Sequence, residues 1–226
     1  MTAAALTDTL GRPLGHAVLA TQVAPVGHRE AQVPERAAER VGESGCGHGA
    51  AILPGAVAAA PIRTAIVTVS DGVAAGQRGD RGGPACAEAL EAAGIGTEIV
   101  ARETLPDDRQ RIAVAVARLA DAGAADLIVL TGGTGVAPRD RTPEGVREVL
   151  EFEVPGLSEK MRAETSRGFP AAYLSRQVVG VRRQTLVVAL PGSPRGAADC
   201  LTAILGVIPH AIALIQGTQP AHPASE

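Results

Sequence analysis

Asp126-Leu127-Ile128-Val129-Leu130-Thr131 runs without a break into Gly132-Gly133-Thr134-Gly135. Four successive apolar residues with no alternation describe a strand covered on both faces, as in a parallel sheet packed between helices. The glycines end it abruptly and put a tight loop at its carboxyl end. Upstream, Ile62-Arg63-Thr64-Ala65-Ile66-Val67-Thr68-Val69 has the same β-branched, apolar texture. A Gly-rich loop and a helix over residues 84–93, closed by Gly94, come next. Residues 97–101 read as a second strand, and Pro106 opens a helix with Ile112, Val116 and Leu119 on one face.

Beyond the glycine loop, Thr142-Pro143 is the pattern of an N-cap with proline at the first helical position, which predicts a helix over residues 143–150. Helical stretches over 158–167 and about 171–176 lead to a buried strand at 186–189, which ends in Pro191-Gly192-Ser193. Helices over 197–205 and 210–216 complete the pattern. Strand and helix alternate, so the predicted class is α/β, with a mostly parallel sheet sandwiched between helices.

Residues 1–61 differ in kind: they hold 15 Ala, 8 Gly and 5 Pro and keep no period of 2 or 3.6. They read as a flexible, disordered leader, with residues 30–41 transiently helical and Cys46-Gly47-His48 a solvated loop. The expected domain spans 62–217, with a tail at 218–226. Of the whole chain, 46% is hydrophobic and 20% charged, at a formal net charge of −3, enough for one sizeable core. Phe152, Phe169 and Tyr173 are its aromatic residues, and bases do not outnumber acids, so neither stacking platforms nor a positive footprint for nucleic acid is present. The longest nearly uncharged stretch, residues 45–62, is broken by His48 and Pro54 and is too rich in Gly and Ala to span a membrane. The chain does not open with an export signal, and its odd set of cysteines, Cys46, Cys86 and Cys200, suits reduced thiols, so a cytoplasmic location is expected.

Ligands of open α/β sheets bind beyond the carboxyl ends of the strands. Three loops here fall at such ends: Ser70-Asp71-Gly72, Gly132 to Asp140, and Pro191-Gly192-Ser193. Glycines allow main-chain amides to approach an anion closely, and those amides supply positive partial charge without lysine. A plain strand-to-helix turn would also use glycine, but the continuation Pro138-Arg139-Asp140-Arg141-Thr142-Pro143-Glu144 crowds charges where a turn needs none. The spacing matches neither the P-loop nor the dinucleotide fingerprint.

Thr131-Gly132-Gly133-Thr134-Gly135, followed by Arg139-Asp140 and Thr142-Pro143-Glu144, resembles the signature of the Mog/MoaB family, the molybdopterin adenylyltransferases of molybdenum-cofactor biosynthesis. Further segments agree in order: Thr68-Val69-Ser70-Asp71, Gly79-Asp80, Gly83-Pro84, Leu105-Pro106-Asp107-Asp108, Pro155-Gly156, Leu174-Ser175-Arg176 and Leu190-Pro191-Gly192-Ser193-Pro194. The resemblance covers about residues 62–217 and implies a Rossmann-like, Mog/MoaB-type domain. It implies Mg²⁺-dependent transfer of AMP from ATP to the terminal phosphate of molybdopterin, with release of pyrophosphate. It also implies a homotrimer or dimer of trimers, with a downstream molybdenum-insertion enzyme as a candidate partner. A non-catalytic molybdopterin carrier of the same fold is the alternative.

By the same resemblance Asp107 and Asp140 are the catalytic carboxylates, and either is a candidate for Mg²⁺. The alternatives read from residues alone are an acidic helix start for Asp107 and a surface ion pair with Arg139 or Arg141 for Asp140. The expected ligand-binding positions are Ser70, Asp71 and Asp80, the run Thr131 to Gly135, Thr142 and Glu144, Ser175 and Arg176, and Pro191, Gly192 and Ser193. Ser70-Asp71 could equally form a turn, Asp80 could only brace its loop, and Ser175-Arg176 could cap a helix end. Gly82 stands where many relatives carry serine. Cys86, Cys200 and His210 read as structural.

Overall fold

The computed structural model describes residues 60–218, so the leader, its Cys46-Gly47-His48 segment and nearly all of the tail lie outside the described residues. The two stretches that announce the fold form strands β1 (Ile62–Val69) and, as third in order, β3 (Leu127–Thr131). Between them come α1 (Asp71–Ala74), α2 (Gly82–Ala93), β2 (Thr97–Leu105) and α3 (Arg109–Asp121). After β3 follow α4 (Thr142–Arg147), β4 (Phe152–Glu153), α5 (Pro155–Ser166), a 3₁₀ turn (Pro170–Leu174), β5 (Val178–Arg182), β6 (Thr185–Leu190), α6 (Pro194–Ile204) and α7 (Ile208–Ile215).

One six-stranded sheet runs in the order β2-β1-β3-β6-β5-β4. β2, β1, β3 and β6 are mutually parallel, while β5 is antiparallel to β6 and β4 to β5. β1 connects to β2 on one side and the chain then returns to β3 on the other, so the order reverses between β1 and β3. That switch point opens a crevice where the loops after Val69 and Thr131 meet.

Both faces of the central strands are covered, as their unbroken apolar runs require. Leu127 and Val129 of β3 join one core with Leu90, Met161, Leu201, Ile204 and Ile208 from α2, α5, α6 and α7. Ile128 and Leu130 point to the other face, against Ile112, Val116, Leu119 and Val146 from α3 and α4. Each such side chain, fully buried, contributes about 1.5–3 kcal/mol relative to exposure. Among the described residues no single helix is long and apolar enough to cross a membrane.

Several local expectations change. The hairpin β5–β6 was not legible because its two-residue connection, Arg183-Gln184, lacks the usual Asn-Gly or Gly signals; instead Arg183 itself takes a φ of 54°. β2 extends to Leu105, past the expected end at residue 101. Thr142 is not an N-cap: Arg141 holds that position without a side-chain bond, and Thr142 is the first residue of α4, fully buried. Ser70 is the cap that sequence did not anticipate, its Oγ accepting from the Val73 amide to start α1. The expected helix at 171–176 is a single 3₁₀ turn.

Candidate functional site

Glycine is required at the crevice by contact. Gly132 takes φ 115°, and a Cβ there would run into the carbonyl of Val69 at the end of β1. Gly133 takes φ 61°, and a Cβ there would stand 2.5 Å from Thr142 Oγ1 and 2.7 Å from Asp107 Oδ1. The loop is therefore pressed between the ends of β1, α3 and α4. The Gly132 amide is spent on the Leu190 carbonyl at 3.1 Å, whereas those of Gly133, Thr134 and Gly135 have no acceptor among the described residues. Thr131 Oγ1 donates to the Pro191 carbonyl at 2.8 Å, which ties the end of β3 to the end of β6.

Two cavities open on this edge and share Gly192. The first, about 330 Å³, is polar and is lined by Asp80, Asp107, Asp140, Gly132, Gly133, Ser70 and Thr131, with Arg78 and Arg81 on its rim. The second, about 600 Å³, is mostly apolar and is lined by Thr134, Gly135, Ser175, Pro191 and Ser193 together with Val136, Phe169, Ala172, Leu174, Gln177 and Cys200.

The carboxylates divide by how their oxygens are used. Asp71 and Asp107 clasp each other's main chain: the Asp107 amide donates to Asp71 Oδ1 and the Asp71 amide to Asp107 Oδ2, both at 3.0 Å. Asp71 Oδ2 is taken by Arg139. Asp80 is also fully engaged, receiving the Gly83 amide at 3.0 Å and Thr68 Oγ1 at 2.8 Å. Asp140 Oδ2 accepts from the Ala137 amide at 2.8 Å. Left over are one oxygen of Asp107 and one of Asp140, on side chains that line the same cleft. Burial pushes the Asp107 carboxyl above its ordinary range; the Asp71 amide opposes this, and the charges of Asp71 and Asp140 add to it. The Asp107 amide, with Arg139, holds Asp71 below its ordinary range. Asp108, not Asp107, caps α3 by accepting from the Arg111 amide at 2.8 Å, which leaves Asp107 for the cleft.

Four expected ligand-binding residues line neither cavity: Asp71, Thr142, Glu144 and Arg176. Asp71 is spent on Asp107 and Arg139, Thr142 Oγ1 is buried with no hydrogen-bond partner among the described residues, and Arg176 with Glu144 forms a brace behind the wall. Arg176 donates from Nε to the Gly135 carbonyl and from one terminal nitrogen to the Asp140 carbonyl, both at 2.7 Å, and its other terminal nitrogen pairs with Glu144. Burial pushes Glu144 up, but the bond to Arg176, a bond from its own amide and the charges of Arg176 and Arg141 together outweigh that, and the net shift is downward. Every nitrogen of this guanidinium is held by the chain, so its geometry serves the 135–140 loop.

Sequence reasoning missed Arg78 and the apolar lining from Phe169 to Leu174. The first sits in a loop with no regular pattern, and the second lies at and just before a stretch, about 171–176, that was read as a helix. Gly82 is buried against Thr131, where a Cβ would come within 3.0 Å of its side chain. Burial, with the nearby charge of Asp80, pushes the Cys86 thiol up to about 12, so it stays neutral, and burial likewise raises Cys200.

A family model described as "probable molybdopterin binding domain" matches residues 65–210. The chain belongs to this family. A Helicobacter pylori molybdopterin adenylyltransferase is 35% identical over 156 residues, covering 69% of this chain and 89% of the relative. The Escherichia coli K12 protein of the same name is 33% identical over 168 residues, 69% and 86% respectively. Among solved structures, the Thermus thermophilus molybdopterin biosynthesis enzyme MoaB is 48% identical with a TM-score of 0.66, covering 70% of this chain and 98% of its own. The Mog protein of Mycobacterium ulcerans is 37% identical with a TM-score of 0.63, at 68% and 99% coverage. The matched residues run from β1 through the start of α7, so they include every loop at the crevice.

Proposed function

We propose that this chain is a molybdopterin adenylyltransferase of molybdenum-cofactor biosynthesis. The observation that carries this reading is the meeting, in one cleft, of unspent oxygens on Asp107 and Asp140 with Gly133, whose loop continues with the unengaged amides of Thr134 and Gly135 along an apolar cavity that shares Gly192. The names borne by the Helicobacter and Escherichia relatives support it.

The polar cleft gathers the phosphates and the apolar cavity seats a flat heteroaromatic ring. An oxygen of the pterin's terminal phosphate attacks the α-phosphorus of ATP. A new P–O–P linkage forms as the bond from that phosphorus to the β-bridging oxygen breaks, and pyrophosphate leaves with the electron pair. Such chemistry asks mainly for positioning and charge compensation. The amides of Gly133 to Gly135 and the Ser193 turn at the start of α6 donate to phosphate oxygens. Arg176 and Glu144 hold the loop that carries Asp140, and Asp71 fixes the main chain of Asp107.

The donor set fits Mg²⁺. Two hard carboxylate oxygens are available, and no group of three acidic, His or Cys side chains forms a cage among the described residues, which suits an ion that keeps water and phosphate as ligands. Asp107 and Asp140 would hold it, and the bound ion offsets charge on the triphosphate. A homotrimer that covers exposed apolar residues such as Phe152 and Leu214, a cytoplasmic location, and hand-over to a molybdenum-insertion enzyme complete the proposal.

The test is incubation of the purified protein with molybdopterin and Mg-ATP. Adenylylated pterin and pyrophosphate in equal amounts are expected. Pterin binding without AMP transfer would mark the chain as a carrier of the same fold.

A further inference from the structure

The loop between α1 and α2 brings a cation into the cleft. Arg78 lays its side chain across Gly72, where a Cβ would stand 3.2 Å from Nε, 3.5 Å from Cδ and 3.6 Å from Cγ. Gly72 has no positive φ to demand glycine, so what the missing side chain provides is room for the arginine stem. One terminal nitrogen of Arg78 donates to Ser70 Oγ at 2.7 Å. The side chain lines the same cleft as Asp107, Asp140 and Gly133.

Arg78 and Arg81 both line this cleft without an ion pair among the described residues, and what sets Arg78 apart from Arg81 is the seat on Gly72 and the orienting bond to Ser70. Arg139 pairs with Asp71 and Arg176 with Glu144. Arg78 makes no ion pair among the described residues, although three aspartates line its cleft. Each oxygen of Asp80 already accepts a bond, from Gly83 and from Thr68. A guanidinium carries five N–H donors in a planar fork that matches a phosphate bidentately. Among the described residues only the bond to Ser70 is made, and that bond orients the fork without neutralising it.

We propose that Arg78 is a phosphate-binding residue of this cleft, receiving the polyphosphate of the nucleotide substrate and of the pyrophosphate product, with Gly72 as the seat for its stem. This rests on the adenylyltransferase reading and adds to it the residue that engages the leaving group. In the cleft the aspartates would recruit the metal ion and the arginine would face the phosphate oxygens, so the two signs act on different partners. Arginine rather than lysine is needed, because a point charge cannot supply two parallel N–H bonds.

The experiment measures binding of inorganic pyrophosphate and of Mg-ATP by calorimetry, together with steady-state AMP transfer and melting temperature, for the wild type, Arg78→Ala, Arg78→Lys and Gly72→Ala. In Arg78→Ala, pyrophosphate and Mg-ATP affinity should fall by about 10-fold or more and KM for ATP should rise to match, with the melting temperature little changed. Arg78→Lys should recover only part of the loss. Gly72→Ala, which keeps the guanidinium but crowds its stem, should lie between wild type and Arg78→Ala.

Affinities within about two-fold of wild type in Arg78→Ala would overturn the inference, and a wild type that still transfers AMP would leave the function standing. A wild type that binds Mg-ATP through Arg78 yet transfers no AMP would sink the function and leave the phosphate-binding role intact. Equal loss of melting temperature and affinity in all three variants would assign Arg78 a purely structural part and overturn the proposal.

Discussion

Replacing Gly133 with alanine, beside the control Gly94→Ala, separates backbone strain from crowding at the cleft. Both glycines take φ near +60°, at 61° and 62°. An alanine in that region costs roughly 1–2 kcal/mol against glycine, partly offset by about 0.4–1 kcal/mol from a stiffer unfolded chain. Gly94 closes α2 with nothing within 4 Å of the added Cβ, so its cost should stay near 1 kcal/mol. At Gly133 the same atom would sit 2.5 Å from Thr142 Oγ1 and 2.7 Å from Asp107 Oδ1. Thr142 is fully buried and Asp107 is pinned by the Asp71 amide, so neither yields easily. Overpacking of this kind adds about 1–3 kcal/mol, for a total of roughly 2–4 kcal/mol. Guanidinium unfolding of both variants reads the difference. Because Asp107 must move to admit the methyl, AMP transfer should fall by about 10²-fold in Gly133→Ala and hardly at all in Gly94→Ala. Equal stability losses in the two variants, or full activity in Gly133→Ala, would refute the close packing of loop against carboxylate.

Asp140→Asn should retain pterin binding and lower turnover by about 10²–10³-fold, read from product formation at saturating substrates. Arg176→Met should loosen the loop at Gly135 and Asp140 and lower kcat more than it raises KM, while Arg176→Lys should recover little, since three separate acceptors are served by one rigid fork. Burial raises Asp107, so between its unfolded and folded values the native state binds the extra proton and stability falls as pH rises. Asp107→Asn should therefore melt higher than wild type at pH 7 while losing activity, and the acid limb of the wild-type rate profile should lie above the ordinary carboxylate value of about 3.9. Asp71 is shifted the other way by the Asp107 amide and Arg139, so its contribution is present above the unfolded value and is lost as pH falls through the folded one. The stability deficit of Asp71→Asn should shrink on acidification.

The parallel core was legible because Leu127 to Leu130 is apolar without alternation and Ile62 to Val69 is rich in β-branched residues around the apolar run Ala65 to Val67, the texture of strands buried on both faces. The antiparallel edge was not: Val178 to Arg182 is β-branched but joins β6 through Arg183-Gln184, which carries no turn signal. The crevice was legible as three loops at strand ends, and Asp107, Asp140 and Gly132 to Gly135 do come together there. Spacing could not divide the polar residues into those that face the cleft and those that hold its wall. Asp71, Glu144 and Arg176 belong to the wall because their atoms are bonded to other segments across tens of residues, a fact that exists only in the folded chain. Arg78 was hidden for the converse reason, since its reach depends on Gly72 being bare.

AMP transfer requires two polyanions to lie side by side in cavities that share Gly192. Molybdopterin affinity, measured by fluorescence with and without a non-hydrolysable ATP analogue, tests this most directly. With Mg²⁺ present the two should bind together, the pterin affinity changing by less than about three-fold. Mutually exclusive binding in the presence of Mg²⁺ would contradict it.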